Sequence, residues 1–205
     1  TTASDLNCYR ATTFTASSTC ASNSVNTTTT FAVQYFADAT DSSSSYSAQN
    51  WLATVIFKDA NNGTGTGDAT GQELITLNAI NVTTSSINYG TIAASSTSGG
   101  TNQVATTSNA GNSSTTLQFR ALQTLVSGSN SISTGSQRYS TSTFTFPGTS
   151  TALTDSLVTV TSFLLVPPTS TSLVQRAAFW GLEVPAGRPT GTYSGFNVFS
   201  ALYQP

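Results

Sequence analysis

Residues 157–166 read Leu-Val-Thr-Val-Thr-Ser-Phe-Leu-Leu-Val, and their alternation decides the fold class. Val158 and Val160 interleave with Thr159 and Thr161, so a period of two sends apolar groups to one face and hydroxyls to the other, the pattern of a half-buried strand. Threonine suits this role: it is β-branched, favours the extended chain and meets water without adding charge.

The same period recurs outward along the chain. Phe31, Val33 and Tyr35 alternate in 31–36, and 51–58 (WLATVIFK) is nearly continuous, which predicts a strand covered on both faces. Further strands are expected over 73–82, 87–92, 115–122, 140–146 (Phe144 and Phe146 on one face), 178–184 and 192–203, about nine or ten in all. Between them lie turn formers: Asn61-Asn62-Gly63, Gly65-Thr66-Gly67-Asp68, Ser98-Gly99-Gly100, Asn109-Ala110-Gly111-Asn112, Pro147-Gly148, Pro167-Pro168 and Pro185-Ala186-Gly187. Only 46–52 suggests a helix, of one turn. The pattern predicts an all-β protein built as a single antiparallel β-sandwich, of jelly-roll, immunoglobulin-like or pilin-like type. Residues 26–205 form the sandwich in this reading, and 1–25 an N-terminal extension holding a Cys8–Cys20 loop and a candidate donor strand.

Composition then removes whole classes of function. The chain has no histidine, six basic and eight acidic residues among 205, and about a third of its positions are Ser or Thr. Serine nucleophiles abound, but no histidine can activate them, so triad chemistry is excluded. Two cysteines without histidine cannot complete a zinc site. Arg10, Lys58, Arg120, Arg138, Arg176 and Arg188 are too scattered to neutralise a phosphate backbone, so nucleic acid is not an expected partner. No apolar run nears the roughly 20 residues that cross a bilayer. No cofactor or metal is expected. A chain opening Thr1-Thr2-Ala3-Ser4-Asp5 reads as a mature exported form with its signal peptide removed, without insertion into the membrane.

Each candidate site has a plain structural alternative. Cys8 and Cys20 form an even pair close in sequence, expected as a disulfide rather than two buried thiols. Asn26, Asn62, Asn81 and Asn112 each begin an Asn-X-Ser/Thr acceptor pattern, which chance also produces in so hydroxylated a chain. Lys58, the only lysine, could join an isopeptide bond if desolvated beside a shuttle such as Glu73 or Glu183; otherwise it is a strand-end lysine. A glycosidase needs two carboxylates facing one cleft, and Glu183 is the one acid set within an apolar strand. Asp38, Asp41, Asp59 and Asp68 could offer oxygens to calcium, but their spacing is far from an EF-hand loop and suits turn capping. Trp180, Leu182 and Val184 share a face, as do Tyr193, Phe199 and Tyr203; such rings either fill the core or serve as stacking platforms for sugar.

The segments Asn50-Trp51-Leu52-Ala53-Thr54-Val55, Ile87-Asn88-Tyr89-Gly90, Val184-Pro185-Ala186-Gly187 and Gly191-Thr192-Tyr193-Ser194-Gly195 resemble a group of small exported bacterial proteins with little assigned activity. In architecture the chain is similar to secreted β-sandwich fibre subunits: TasA-like matrix proteins, archaeal threads and type 1 pilins. The resemblance implies polymerisation by strand donation, with residues 1–7 or the more apolar FNVFSALY run at the C-terminus as donor. Faces without Lys and Glu also leave sheet edges unguarded. The expected function is thus an extracellular, cell-surface structural subunit, partnered by further copies of itself. The competing expectation is a monomeric adhesin or carbohydrate-binding module that contacts glycans or a neighbouring cell surface.

Overall fold

A computed structural model describes residues 6–10, 32–58 and 61–205. Thirteen strands run through them: β1 Thr54–Lys58, β2 Thr64–Asp68, β3 Ile80–Val82, β4 Ser96–Thr97, β5 Gln103–Asn109, β6 Ser114–Ala121, β7 Leu125–Ser127, β8 Asn130–Ile132, β9 Gln137–Ser140, β10 Thr151–Ala152, β11 Val158–Leu165, β12 Gln175–Val184 and β13 Asn197–Gln204. Every pairing among them is antiparallel. The protein is all-β, and the expected helix at 46–52 is absent: 46–48 are turn and Trp51 bridges to Gln72.

Two sheets make the sandwich. The larger runs β10-β9-β12-β5-β3, with β4 on the far end of β12; the smaller runs β11-β6-β13. Alternation drives the packing: β6 sends Leu117, Phe119 and Ala121 inward, and β12 answers with Ala178, Trp180 and Leu182. Phe119 is the hub. Its ring centroid lies 5.0 Å from Tyr139, 5.2 Å from Trp180, 4.7 Å from Phe199 and 6.1 Å from Phe163, so one side chain ties β6 to β9, β12, β13 and β11. A smaller cluster of Leu125, Ile132 and Leu182 extends the core under the β7–β8 hairpin. Tyr89 packs against both clusters and donates its hydroxyl to Gln137 Oε1 (3.1 Å), which also accepts from Asn197 Nδ2 (3.0 Å). Burial pushes the Tyr89 phenol well above its ordinary range, keeping it a neutral donor.

Several expected strands are corrected. Residues 73–79 and 87–92 form no strand, with Gly90 in the left-handed region (φ 69), and only Ile80–Val82 of the expected 73–82 pairs as one. Side chains replace the ladder: Thr40 Oγ1 accepts from Leu74 N (2.9 Å), Asp41 Oδ2 from Thr76 N (2.7 Å) and Asn112 Oδ1 from Leu77 N (2.6 Å). Residues 51–58 yield only β1, which pairs with β2 alone, leaving Ile56 66 % exposed instead of covered. The 140–146 strand falls earlier, as β9, and Phe144 then folds over Gly181. Residues 32–36 form no strand, although Phe36 is buried; Phe31 lies outside the described residues. Gly65-Thr66-Gly67-Asp68, expected as a turn, is instead strand β2, paired with β1 in full register. β5, the β7–β8 hairpin and the two-residue strands β4 and β10 have no counterpart among the expected strands, because Thr107, Ser108 and Asn109 are buried polar residues and the hairpin turns at Gly128 in the left-handed region.

Asp41 fixes the 73–79 strap. Its carboxylate accepts the Thr76 hydroxyl (2.6 Å) and the Thr76 N–H, and these bonds hold it below the usual carboxylate range. A group whose folded value is depressed stabilises above its unfolded value, and that contribution disappears as pH falls through the folded one. Asp41→Asn should therefore lower the urea midpoint at neutral pH and leave it unchanged in strong acid, where wild-type Asp41 is protonated too. An equal loss at both would mean the charge plays no part.

Candidate assembly surface

The expected site residues are dispersed. Cys8 is exposed; its expected partner Cys20 lies outside the described residues, as does Asn26, and no disulfide is seen among the described residues. Asn62 is exposed and holds a left-handed backbone (φ 65) in the loop between β1 and β2. Asn81 is exposed on the edge strand β3. Asn112 ties segments together: its Nδ2 donates to Ala37 O (3.1 Å) and Ile75 O (3.2 Å), so both amide hydrogens are committed. Lys58 stands exposed at the end of β1, away from the desolvation an isopeptide bond requires, and Asp59 lies outside the described residues. Asp41 serves Thr76, and Asp68 Oδ1 accepts from Thr54 Oγ1 (2.6 Å) across the hairpin. Asp38 is only partly buried, which raises its carboxyl above the ordinary value, and its backbone carbonyl accepts the Trp51 indole N–H (2.9 Å). Glu183 is exposed on β12, and among the described residues no three His, Cys, Asp or Glu side chains converge as a metal site.

A sugar-stacking surface needs exposed rings, and the expected platforms are elsewhere engaged. Trp180 is fully buried, and Trp51 is half-buried with its ring 5.5 Å from Tyr9. A cleft of about 220 Å³ opens between β9, β10 and β11. It is lined with hydroxyls of Ser140, Thr141, Thr151, Thr159 and Thr161, and its one ring, Tyr139, is buried.

What the fold does present is a set of sheet edges in unequal states. β10 and β3, which end the larger sheet, are two and three residues long, too short to template a partner. β11 ends the smaller sheet but is broken by a bulge between Thr159 and Leu164, with Ser162 in the left-handed region (φ 63). Arg176 reaches over from β12, donates to Ser162 O (2.7 Å) and Leu164 O (3.4 Å) and lies 5.5 Å from the Phe163 ring centroid. A bulge with a cation on its carbonyls is a guarded edge.

β13 is the opposite case. All eight of its residues pair in register with β6, from Asn197↔Ala121 to Gln204↔Ser114, and no strand among the described residues lies on its other side. It contains no Lys, Asp, Glu or Pro. From outside its own sheet, Asn78 Nδ2 reaches Ala201 O (3.4 Å), and Tyr203 donates its hydroxyl to Ser43 O. Sequence reading found the apolar character of this run but not its place at an edge, because which strand ends a sheet is set by topology. Arg176 carried no sequence signal at all.

No family model, curated protein or solved structure matches the chain.

Proposed function

We propose that this protein is an extracellular structural subunit of a surface filament, pilus-like fibre or surface layer, joined copy to copy by strand addition at β13. The observation that carries the reading is the contrast among edges: three sheet-terminal strands are short or bulged, and the fourth is long and regular, with no strand beyond it among the described residues. An added strand would satisfy the outward N–H and C=O groups of β13, with main-chain bonds giving affinity and alternate side chains the register. The hydroxyl-rich, charge-poor exterior fits a protein that persists outside a cell, where packing and hydrogen bonds must hold without ionic help. The adhesin or carbohydrate-module reading loses support from the burial of Trp180.

Hydrogen exchange read by mass spectrometry tests the proposal on the unmodified protein. On passing from dilute to concentrated protein, peptides covering 197–204 should gain protection while those covering β3 and β10 stay unchanged. A monomer that persists at high concentration, or an assembly in which 197–204 exchanges as in the monomer, would overturn it.

A further inference from the structure

Three of the four Asn-X-Ser/Thr patterns lie among the described residues, at Asn62, Asn81 and Asn112, and the fold treats them differently. An acceptor asparagine must offer a free carboxamide nitrogen, because the glycosidic bond forms there, and it must stand where a bulky hydrated sugar has room. The side-chain amide has two hydrogens, and a sugar takes the place of one of them.

Asn112 fails the first demand. Its Nδ2 donates to Ala37 O (3.1 Å) and Ile75 O (3.2 Å), and its Oδ1 accepts from Leu77 N (2.6 Å). A sugar on this nitrogen would break one of the two donor bonds in a turn where Gly111 and Ser113, on either side, are buried. Asn62 meets both demands. It lies in the loop between β1 and β2 with a left-handed backbone (φ 65), residues 61–70 are exposed throughout, and its carboxamide makes no hydrogen bond among the described residues. Thr64, which completes the pattern, is exposed as well.

Asn81 meets both in another setting. It is the middle residue of β3, which ends the larger sheet. Ile80 packs against the core, so alternation turns Asn81 outward, where it is exposed and its carboxamide makes no hydrogen bond among the described residues. The hydroxyl of its pattern is committed, however: Thr83 Oγ1 donates to Thr106 O (3.2 Å), and Thr83 N donates to the same carbonyl (3.0 Å). A transferase that reads the asparagine together with the hydroxyl two residues on can therefore use Asn62 in the folded protein, but Asn81 only before β3 joins β5.

We propose that Asn62 and Asn81 are acceptors for asparagine-linked sugar and that Asn112 is withheld from it by its bonds to the strap. The donor is a sugar diphosphate, carried on a lipid or a nucleoside. The carboxamide nitrogen bonds the anomeric carbon, the bond from that carbon to a phosphate oxygen breaks, the diphosphate leaves, and the amide proton passes to a base of the transferase. Sugars at these two positions would hydrate a chain with six basic and eight acidic residues, and the one at Asn81 would further guard the β3 edge. β6, β11 and β13 contain no acceptor pattern, so the modification stands apart from strand addition at β13.

Two routes to the glycosylated protein test this, each read by peptide mapping and by urea midpoint. In the first, folded protein is treated with a soluble N-glycosyltransferase and UDP-glucose; in the second, the chain is secreted through a pathway that glycosylates during translocation. The first should place a hexose on Asn62 and none on Asn81 or Asn112, and the second should fill Asn62 and Asn81. Asn62→Gln should abolish the modification of 61–70 in both routes and leave Asn81 filled in the second. Sugar on Asn112 should appear only in protein with a lowered urea midpoint. Asn62 left unmodified by either route, Asn81 left unmodified by secretion or modified in the folded protein, or sugar on Asn112 at the wild-type midpoint would overturn the proposal, and none of these outcomes bears on addition at β13.

Discussion

Replacing Phe119 by alanine is expected to lower the unfolding free energy by about 3–5 kcal/mol, the range for deleting a fully buried ring. The upper half of that range is expected, because the ring is fully buried and touches four other rings on four strands: Tyr139, Phe163, Trp180 and Phe199. Edge-to-face contacts add roughly 0.5–1.5 kcal/mol each beyond area burial. The cavity has poor prospects of collapse, since its walls are strands held by ladders in both sheets. Against a total of about 5–15 kcal/mol for a native domain, this one change removes much of the stability. Urea titration followed by tryptophan fluorescence measures it directly, because Trp180 is a wall of the cavity. Phe119→Leu should recover more than half of the loss. A Phe119→Ala loss under about 1 kcal/mol would show that the sandwich is not centred on this ring.

How far this fold can be read from the sequence follows from which signal each element carries. β6 and β11 are legible because large apolar residues alternate with polar ones, and β12 and β13 because runs of aromatic and aliphatic residues stand between turn formers, so all four show in the sequence alone. β5 is not, because its inward Thr107 and Asn109 are polar and fully buried. Asn109 serves by donating Nδ2 to Ser113 O (2.8 Å) and Leu165 O (3.1 Å), a role that needs the fold around it before it can be recognised. The strap over 73–79 has strand-like composition, yet its backbone groups are taken by side chains of Thr40, Asp41 and Asn112 more than 30 positions away. Local pattern cannot report such partners. The assembly surface divides in the same way: the want of charged edge guards is a property of composition, but the place of β13 at the end of its sheet and the guarding of β11 arise from topology and from Arg176.

Gly111→Ala is the second change expected to be severe, at about 3 kcal/mol or more. Gly111 lies in the turn from β5 to β6, where the 73–79 strap crosses. An added Cβ would sit 2.9 Å from the Leu77 carbonyl carbon and closer still to its oxygen, with Ala79 N at 3.0 Å. These are backbone atoms, so no side chain can rotate away. The strap would have to lift, and several bonds bind it there: Ala110 N to Ala79 O (2.9 Å), Asn112 N to Leu77 O (3.1 Å), Ser113 Oγ to Leu77 O (3.0 Å), and two made by the Asn112 carboxamide, from Leu77 N and to Ile75 O. Losing even half of them at roughly 0.5–1.5 kcal/mol each accounts for the expected effect. Gly111 is not among the glycines with positive φ, so alanine suffers no intrinsic backbone strain and the measurement reads the clash alone. Gly65→Ala is the matched control: nothing lies within 4 Å of its added Cβ on β2, and it should fall within about 0.5 kcal/mol of wild type. Hydrogen exchange should separate local from global damage, with 75–79 deprotected before the sandwich strands. If Gly111→Ala proves as stable as Gly65→Ala, the strap does not lie against this turn, and the contacts assigned to Asn112 fall with it.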